Sequence, residues 1–270
     1  MADSTTRPKL SPRRRRELVR YVLYGVLVIA ALAAVFFADW GRIQRNFFNV
    51  DSMREMLPEV ITIAARNTVI YTVASFSLGI VGALVLALMK MSSVKPYKWI
   101  ATVYIELFRG LPALITIILV AFGLPIAFGW RIPGGTLGTG SLGLAIVAAA
   151  YMAETIRAGV EAVPRGQMEA ARSLGMSHAR AMASIVLPQA FRIIVPPLTN
   201  EFVLLIKDTS LLFVIGTTPL TKELTKFARD FMTTERNATP LTVAAILYLI
   251  ITLPLTRLVA QLEKRTARAR

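Results

Sequence analysis

The chain has no cysteine and a single histidine. The first absence excludes disulfides, thiolate metal sites and cysteine nucleophiles, and one histidine leaves little from which to build a histidine metal cluster. No metal or other cofactor is expected. Acidic residues are scarce as well, 16 Asp and Glu against 31 Lys and Arg, for a formal charge of +15. Such a charge fits nucleic acid when the basic residues line a folded surface. Here many sit at the chain ends and between apolar runs, which is the pattern of membrane topology, so nucleic acid is not an expected partner. Also missing is any G-x-x-x-x-G-K-[ST] motif, and the chain is not expected to hydrolyse ATP itself. What it has in abundance is apolar sequence, 55% hydrophobic residues against 17% charged over 270 residues. A lipid bilayer is the solvent that composition fits.

A crossing takes roughly 20 apolar residues. "LVRYVLYGVLVIAALAAVFFA" (18–38) meets that length behind a basic tail, residues 1–17, that contains "RPKLSPRRRRE". A twin-arginine export signal is the rival for this segment, but no A-x-A cleavage site follows and further spans do, so a retained anchor is expected. Further spans are expected over 67–89, over 99–128 with an interruption at "ELFRGLP" (106–112), over 142–160 and over 241–260. Segment 189–216 fails a simple hydropathy test because of Pro196, Pro197, Asn200, Glu201, Lys207 and Asp208. The arginine-rich N-terminus and the tail 263–270, "EKRTARAR", both belong on the cytoplasmic side, which requires an even number of crossings. Counting 189–216 makes six, an all-α polytopic membrane protein. Loops 90–98 and 161–188 then face the cytoplasm, and 39–59, 129–141 and 217–240 face outside.

Loop 161–188 is unusually polar for this chain. Pro164 and Gly166 should end the preceding helix, "QMEAARSL" (167–174) has good helix formers, and Gly175 is placed to cap it. A second amphipathic run, "SHARAMASIVL", leads to Pro188, where a new segment should begin. Ala170 and Ala171 permit close approach. Met168, Leu174 and Met176 offer an apolar patch, and Glu169 with Arg172 at i, i+3 can fix register. The loop reads as a docking knob.

Glu169, Ala170, Ala171, Gly175, Ile185, Leu187 and Pro188 match in spacing the E-A-A motif, with its distal I-x-L-P, of ATP-binding cassette (ABC) importer permeases. "YIELFRGLP" (104–112), "AYMAETIRAGVEAVPRGQMEAARSLG" (150–175), "LPQAFRIIVPPLTNEF" (187–202) and "LLIKDTSLLFVIG" (204–216) resemble the permeases of polar amino-acid uptake systems. That resemblance implies a five-helix permease domain over 60–262, an extra N-terminal span ahead of it, and a cytoplasmic coupling helix in loop 161–188. It implies as partners a dimer of ATP-binding cassette ATPases, a second permease subunit identical or related to this one, and an extracytoplasmic amino-acid-binding protein. The implied location is the bacterial cytoplasmic membrane, and the implied cargo a polar amino acid such as glutamate or glutamine. The sequence departs from the family pattern at Leu111 and Thr116 and in the glycine-rich stretch 129–140.

Ionisable residues within apolar spans should face a cavity, the protein interior or a partner. Glu106 with Arg109, and Glu154 with Arg157, stand at i, i+3 and could each pair on one helix face. Lys207 and Asp208 are adjacent, about 100 degrees apart on a helix, and need separate partners. A broken backbone near Pro196 and Pro197 would line a polar cavity. A zwitterionic amino acid needs a cationic contact and an anionic one. Arg109, Glu154, Lys207 and Asp208 supply both signs and form the expected pathway group. "GTGSLG" (138–143) fits G-x-G-x-x-G but follows no strand, and is not expected to bind a nucleotide. His178 has no companion ligand, and the sequon at Asn237 is followed by Pro240. The rival from another class is a self-sufficient ion-coupled secondary transporter or channel. Such proteins commonly carry duplicated halves, and no internal repeat is evident.

Overall fold

The computed structural model describes residues 12–268, so residues 1–11 and 269–270 of the two basic tails lie outside the described residues. Every regular element among the described residues is helical: α1 (Pro12–Phe37), α2 (Trp40–Phe47), α3 (Val50–Glu59), α4 (Arg66–Met91), α5 (Lys95–Gly110), α6 (Ala113–Ile118), α7 (Leu124–Phe128), α8 (Gly135–Glu161), α9 (Arg165–Ser173), α10 (His178–Ala181), α11 (Leu187–Asp208), α12 (Leu224–Glu235) and α13 (Thr239–Arg268). Arg13–Phe37, Trp40–Met91, Gly135–Glu161, His178–Val214 and Thr239–Lys264 are long and apolar enough to cross a membrane. The pair Lys95–Gly110 and Ala113–Phe128, bent by 109°, makes a sixth crossing if taken as one span. The expected all-α polytopic fold is observed.

The chain falls into two units, residues up to Asn46 and residues from Phe47. In the first, α1 exposes apolar side chains all round, among them Leu23, Leu27, Ile29 and Phe36. Beyond Arg20 this helix carries no charged residue, and such a stretch belongs in lipid or against another apolar surface. Asp39 starts α2 by accepting from the Arg42 amide at 2.8 Å, and the Trp40 indole donates to the Val35 carbonyl at 2.7 Å.

In the second unit α4 packs along α8 through small residues. A methyl group added at Gly79 would stand 2.7 Å from the Met152 terminal carbon, and one at Gly82 would meet the Ala149 methyl at 3.3 Å. Small residues let membrane helices approach closely, which replaces the hydrophobic drive that lipid does not supply. Around this seam Tyr71, Ile105, Ile117, Leu144 and Met152 form one buried cluster. A second gathers Met56, Val60, Leu224, Phe227 and Val243 from α3, the following π-helical turn Val60–Ala65, α12 and α13.

The glycines of "GTGSLG" are packing residues. A Cβ at Gly138 would lie 1.9 Å from the Pro133 carbonyl oxygen, one at Gly140 3.0 Å from the Tyr71 ring, and one at Gly143 3.3 Å from the Ile117 Cα. The motif opens α8 and follows no strand, as the sequence implied.

Two backbone expectations are corrected. Pro196 and Pro197 do not break α11, which runs unbroken from Leu187 to Asp208 and tightens into a 3-10 turn only at Thr209–Val214. Pro188 opens α11 as expected, yet no break in the helix accompanies it. The helix from His178 continues through a π-helical turn at Met182–Val186, where the Leu187 amide bonds back to the Met182 carbonyl five residues away. That wider turn shifts the hydrogen-bond register just before Pro188, which has no amide proton to give.

Candidate functional site

A cavity of about 280 Å³ lies between α8, α11 and the sharp turn joining α5 to α6. The turn follows from "GLPA". α5 ends at Gly110, and Leu111 before Pro112 is extended at φ −88°, ψ 142°. A residue before proline is driven out of the helical region by the pyrrolidine ring, so the break falls where "ELFRGLP" foretold it. Leu111 and Ala113 line the cavity at this corner.

The other two walls have one geometry. Leu144, Val147, Ala148 and Tyr151 come from α8, and Glu201, Leu204, Leu205 and Asp208 from α11. Both sets follow i, i+3, i+4, i+7, which is one face of a helix. Glu201 and Asp208 are therefore two turns apart on the same wall, with leucines between them. An otherwise apolar cavity thus carries two carboxyl groups. Arg109 stands at its corner, its guanidinium carbon 5.5 Å from the centre of the Tyr151 ring, and the Tyr151 hydroxyl donates to the Arg109 carbonyl at 3.4 Å. Its charge attracts Glu201. The arrangement offers anionic contacts along the wall and a cationic one at the corner, the pattern that grips a zwitterion.

Of the four expected pathway residues, Asp208 lines the cavity and Arg109 stands beside it. Lys207 is exposed and points elsewhere, as its place one residue from Asp208 requires. Glu154 is not among the lining residues. Its carboxylate accepts from Lys90 Nζ at 3.2 Å and from Arg157 Nη2 at 2.5 Å, and Arg157 also binds Glu161. The expected Glu154–Arg157 pair is present, joined by a lysine from α4. Glu106 and Arg109 form no such pair among the described residues; Arg109 leans over Tyr151 instead. Sequence reasoning passed over Glu201 and Tyr151. The seven-residue interval from Glu201 to Asp208 was the available signal, since it puts both on one face.

Because Glu154 holds two cations, its removal leaves Lys90 and Arg157 without their anion. Removing one partner of a buried pair costs about 3 kcal/mol, discounted here because both side chains are roughly a fifth exposed. Glu154→Ala is expected to lower the thermal unfolding temperature in micelles while leaving ligand preference unchanged. A changed preference at unchanged stability would place Glu154 in the pathway after all.

The α8–α11 connection is the second candidate region. α9 follows Pro164, which is extended at φ −56°, ψ 131°, and ends at Gly175 with φ +83°. The Gly175 amide donates to the Arg172 carbonyl at 3.0 Å and the Met176 amide to the Ala171 carbonyl at 3.2 Å. This paired closure requires a left-handed residue at its centre, which glycine supplies without steric cost. Ala171 is buried and Met168 packs against the core, so these two seat the helix. Glu169 and Ala170 face outward, and Leu174 is 85% exposed. Ile185 is half-buried on the π-helical turn, and Leu187 and Pro188 are exposed just beyond it. Two details differ from expectation. The Arg172 guanidinium binds the Met176 carbonyl at 3.0 Å rather than Glu169. Met168 turns inward, so the fully outward apolar residue is Leu174.

Comparison with known proteins agrees with this architecture. Residues 78–268 match the family model described as binding-protein-dependent transport system inner membrane component. The chain is 38% identical over 200 residues to the probable glutamine ABC transporter permease protein GlnM of Bacillus subtilis, covering 73% of this chain and 87% of that one. It is 35% identical over 264 residues to the arginine transport system permease protein ArgU of Corynebacterium glutamicum, covering 92% of this chain and 81% of that one. Among solved structures it resembles an amino acid ABC transporter crystallised with histidines, with TM-score 0.71, 40% identity and coverage of 79% of this chain and 97% of that one.

Proposed function

Because the chain belongs to the family of binding-protein-dependent transport system inner membrane components, among its amino-acid ABC transporter permeases, we propose that it forms the translocation pathway of an ATP-driven importer and that the cavity beside α11 is a station on that pathway. The chemistry of ATP is left to a separate dimer of ATPase subunits. An extracytoplasmic binding protein delivers the amino acid, and a second permease, identical or related, completes the membrane domain. Residues 60–262 are the permease domain, 18–38 an added span, and the basic tails 1–17 and 263–270 both lie on the cytoplasmic side of the inner membrane.

The observation that carries the substrate reading is the pair Glu201 and Asp208 on one apolar wall. Carboxylates removed from water need cations; Arg109 attracts Glu201 and the neighbouring Lys207 attracts Asp208, but among the described residues neither closes an ion pair with them. An amino acid with a cationic side chain supplies two positive groups for the two carboxylates and one carboxylate for Arg109. Glutamine leaves one carboxylate without a cation, and glutamate adds a second anion without one. The relatives are named for glutamine, arginine, cystine and glutamate/aspartate and do not choose among them; the charge of this cavity favours a basic amino acid. Equilibrium binding of labelled arginine to the permease–ATPase complex, with the binding protein left out, tests this directly. Lysine is expected to compete and glutamate not to; the reverse ranking would overturn the basic class.

The α9 region, with Glu169, Ala170, Ala171 and Gly175 in the E-A-A spacing and Ile185, Leu187 and Pro188 beyond, is the proposed ATPase-coupling segment, presented outward by Glu169 and Ala170 and seated by the buried Ala171. ATP can drive transport only by favouring one state of the permease through differential contacts. A short helix bounded by Pro164 and closed by Gly175 is suited to pass such contacts to α8 before it and, through α10, to α11 after it.

A further inference from the structure

Glu223 is wholly buried, with no part of its side chain open to solvent, and no step of the pathway proposed above uses it. It caps the start of α12: its two oxygens accept from the Thr225 and Lys226 amides, both at 2.6 Å. The Tyr248 hydroxyl of α13 donates to Glu223 Oε2 at 3.1 Å. Tyr248 in turn lies 3.2 Å from the Thr225 hydroxyl and 3.5 Å from the Thr209 hydroxyl. Thr209 follows Asp208 directly and donates to the Ile206 carbonyl at 2.6 Å, closing the end of α11. A continuous line of hydroxyls therefore joins a buried carboxyl group to the helix end that carries the cavity's Asp208.

Among the described residues Glu223 has no counter-ion. On its own stretch Lys222 and Lys226 are both engaged by Asp230, and Arg229 lies over the Phe213 ring at 4.8 Å. From α4, Thr68 accepts from the Leu224 amide at 3.1 Å and Tyr71 donates to the Thr221 carbonyl at 3.1 Å. The turn before α4 packs Val60 and Ala64 there, while Glu59 and Arg66 are exposed. α13 presents Tyr248, and the 3-10 turn after α11 presents Thr209. Burial pushes the Glu223 carboxyl up from 4.5 to about 7, against the opposing pull of the amide and hydroxyl donors.

We propose that Glu223 is a proton-responsive positioning residue whose protonation reverses its hydrogen bond with Tyr248 and, through Tyr248 and Thr209, resets the end of α11 bearing Asp208. Ionised, Glu223 only accepts, and Tyr248 must donate to it. Protonated, it carries a hydrogen to give; Tyr248 then accepts and turns its own hydrogen toward Thr225 or Thr209. A Thr209 hydroxyl that receives this bond keeps donating to the Ile206 carbonyl and is drawn toward Tyr248 from its present 3.5 Å. No atom is transferred beyond the proton itself. That the shift matters for transport rests on the pathway reading above, but the shift itself does not.

The absence of native cysteine makes a single reporter clean. A nitroxide on Ser210→Cys in the full chain, purified with its ATPase in lipid discs, reads the mobility of the α11 end as pH is scanned. The parent is expected to change with a midpoint at about 7. Glu223→Gln is expected to lose the inflection, and Tyr248→Phe to lose it while keeping the infrared band of a buried carboxylic acid. An unchanged midpoint in either variant overturns the proposal, and Tyr248→Phe decides alone if Glu223→Gln does not fold. Failure of the pathway reading looks different: the label responds to pH, yet Asp208→Asn leaves uptake untouched.

Discussion

Asp208→Asn is expected to reduce uptake of a basic amino acid by about 10- to 100-fold, with Glu201→Gln giving a loss of similar size. A hydrogen bond to a charged group contributes about 1.5–3 kcal/mol, and each 1.4 kcal/mol is a factor of ten. Both substitutions keep side-chain volume and hydrogen-bonding capacity, so the cavity between Leu204 and Leu205 should stay open and the loss should follow charge. The double variant should fall short of the product of the singles, because the two groups hold one ligand from one wall and cannot act independently. Uptake of a neutral amino acid, if the binding protein delivers one, should fall less. Initial rates in proteoliposomes at saturating ATP give the comparison. Equal losses for basic and neutral cargo would mean that the carboxylates hold the helix rather than the substrate.

The second large effect is expected at the other functional region. Glu169→Lys should weaken association with the ATPase by about 2 kcal/mol, roughly 30-fold, the scale of a residue central to a small interface. The Glu169 carboxylate has no bonded partner within the described residues; the bond from Ser173 is made to its backbone carbonyl at 3.0 Å. Reversing its charge therefore leaves α9 seated by Met168 and Ala171 and closed by Gly175. The expected signature is a permease that extracts, folds and binds its amino acid normally but co-purifies with little ATPase and does not transport. Retained ATPase with lost transport would assign Glu169 to the moving step instead of the docking one.

The crossings were legible because hydropathy over about 20 residues is a strong signal. The bend at Leu111 was legible because a glycine and a proline bracket it. α9 was legible to within two residues, since Pro164 and Gly175 each impose a backbone geometry that the helix between them cannot share. Other features depended on what lies across the bundle. Pro196 and Pro197 read as a break, yet α11 carries them unbroken, with the Thr199 hydroxyl bonding back to the Val195 carbonyl at 2.8 Å in the same turn. Membrane helices tolerate proline where neighbouring groups satisfy the backbone. The π-helical turn before Pro188 left no mark in composition.

Glu201 was weighed as a penalty against a span when its distance to Asp208 was the more telling fact. Glu154 offered the opposite lesson. Its charge suggested the pathway, and its partner Lys90 comes from α4, 64 residues earlier, which no local pattern announces. Glu223 escaped notice inside a segment read as an outer connector. Its burial arises only when α12 and α13 close over it. Asp230, nearby, shows the contrast: burial raises its carboxyl, but Lys222 and Lys226 outweigh that and hold it below its usual range. Two acids on one stretch are thus driven in opposite directions, Asp230 down by its lysines and Glu223 up by burial.

The most direct test of the central claim reconstitutes the purified chain in liposomes, first alone with an ion gradient and then with its ATPase, its binding protein and ATP. A pathway subunit driven from outside is expected to accumulate no amino acid in the first case and to accumulate it in the second. Gradient-driven accumulation by the chain alone would contradict that claim and make it a self-sufficient transporter.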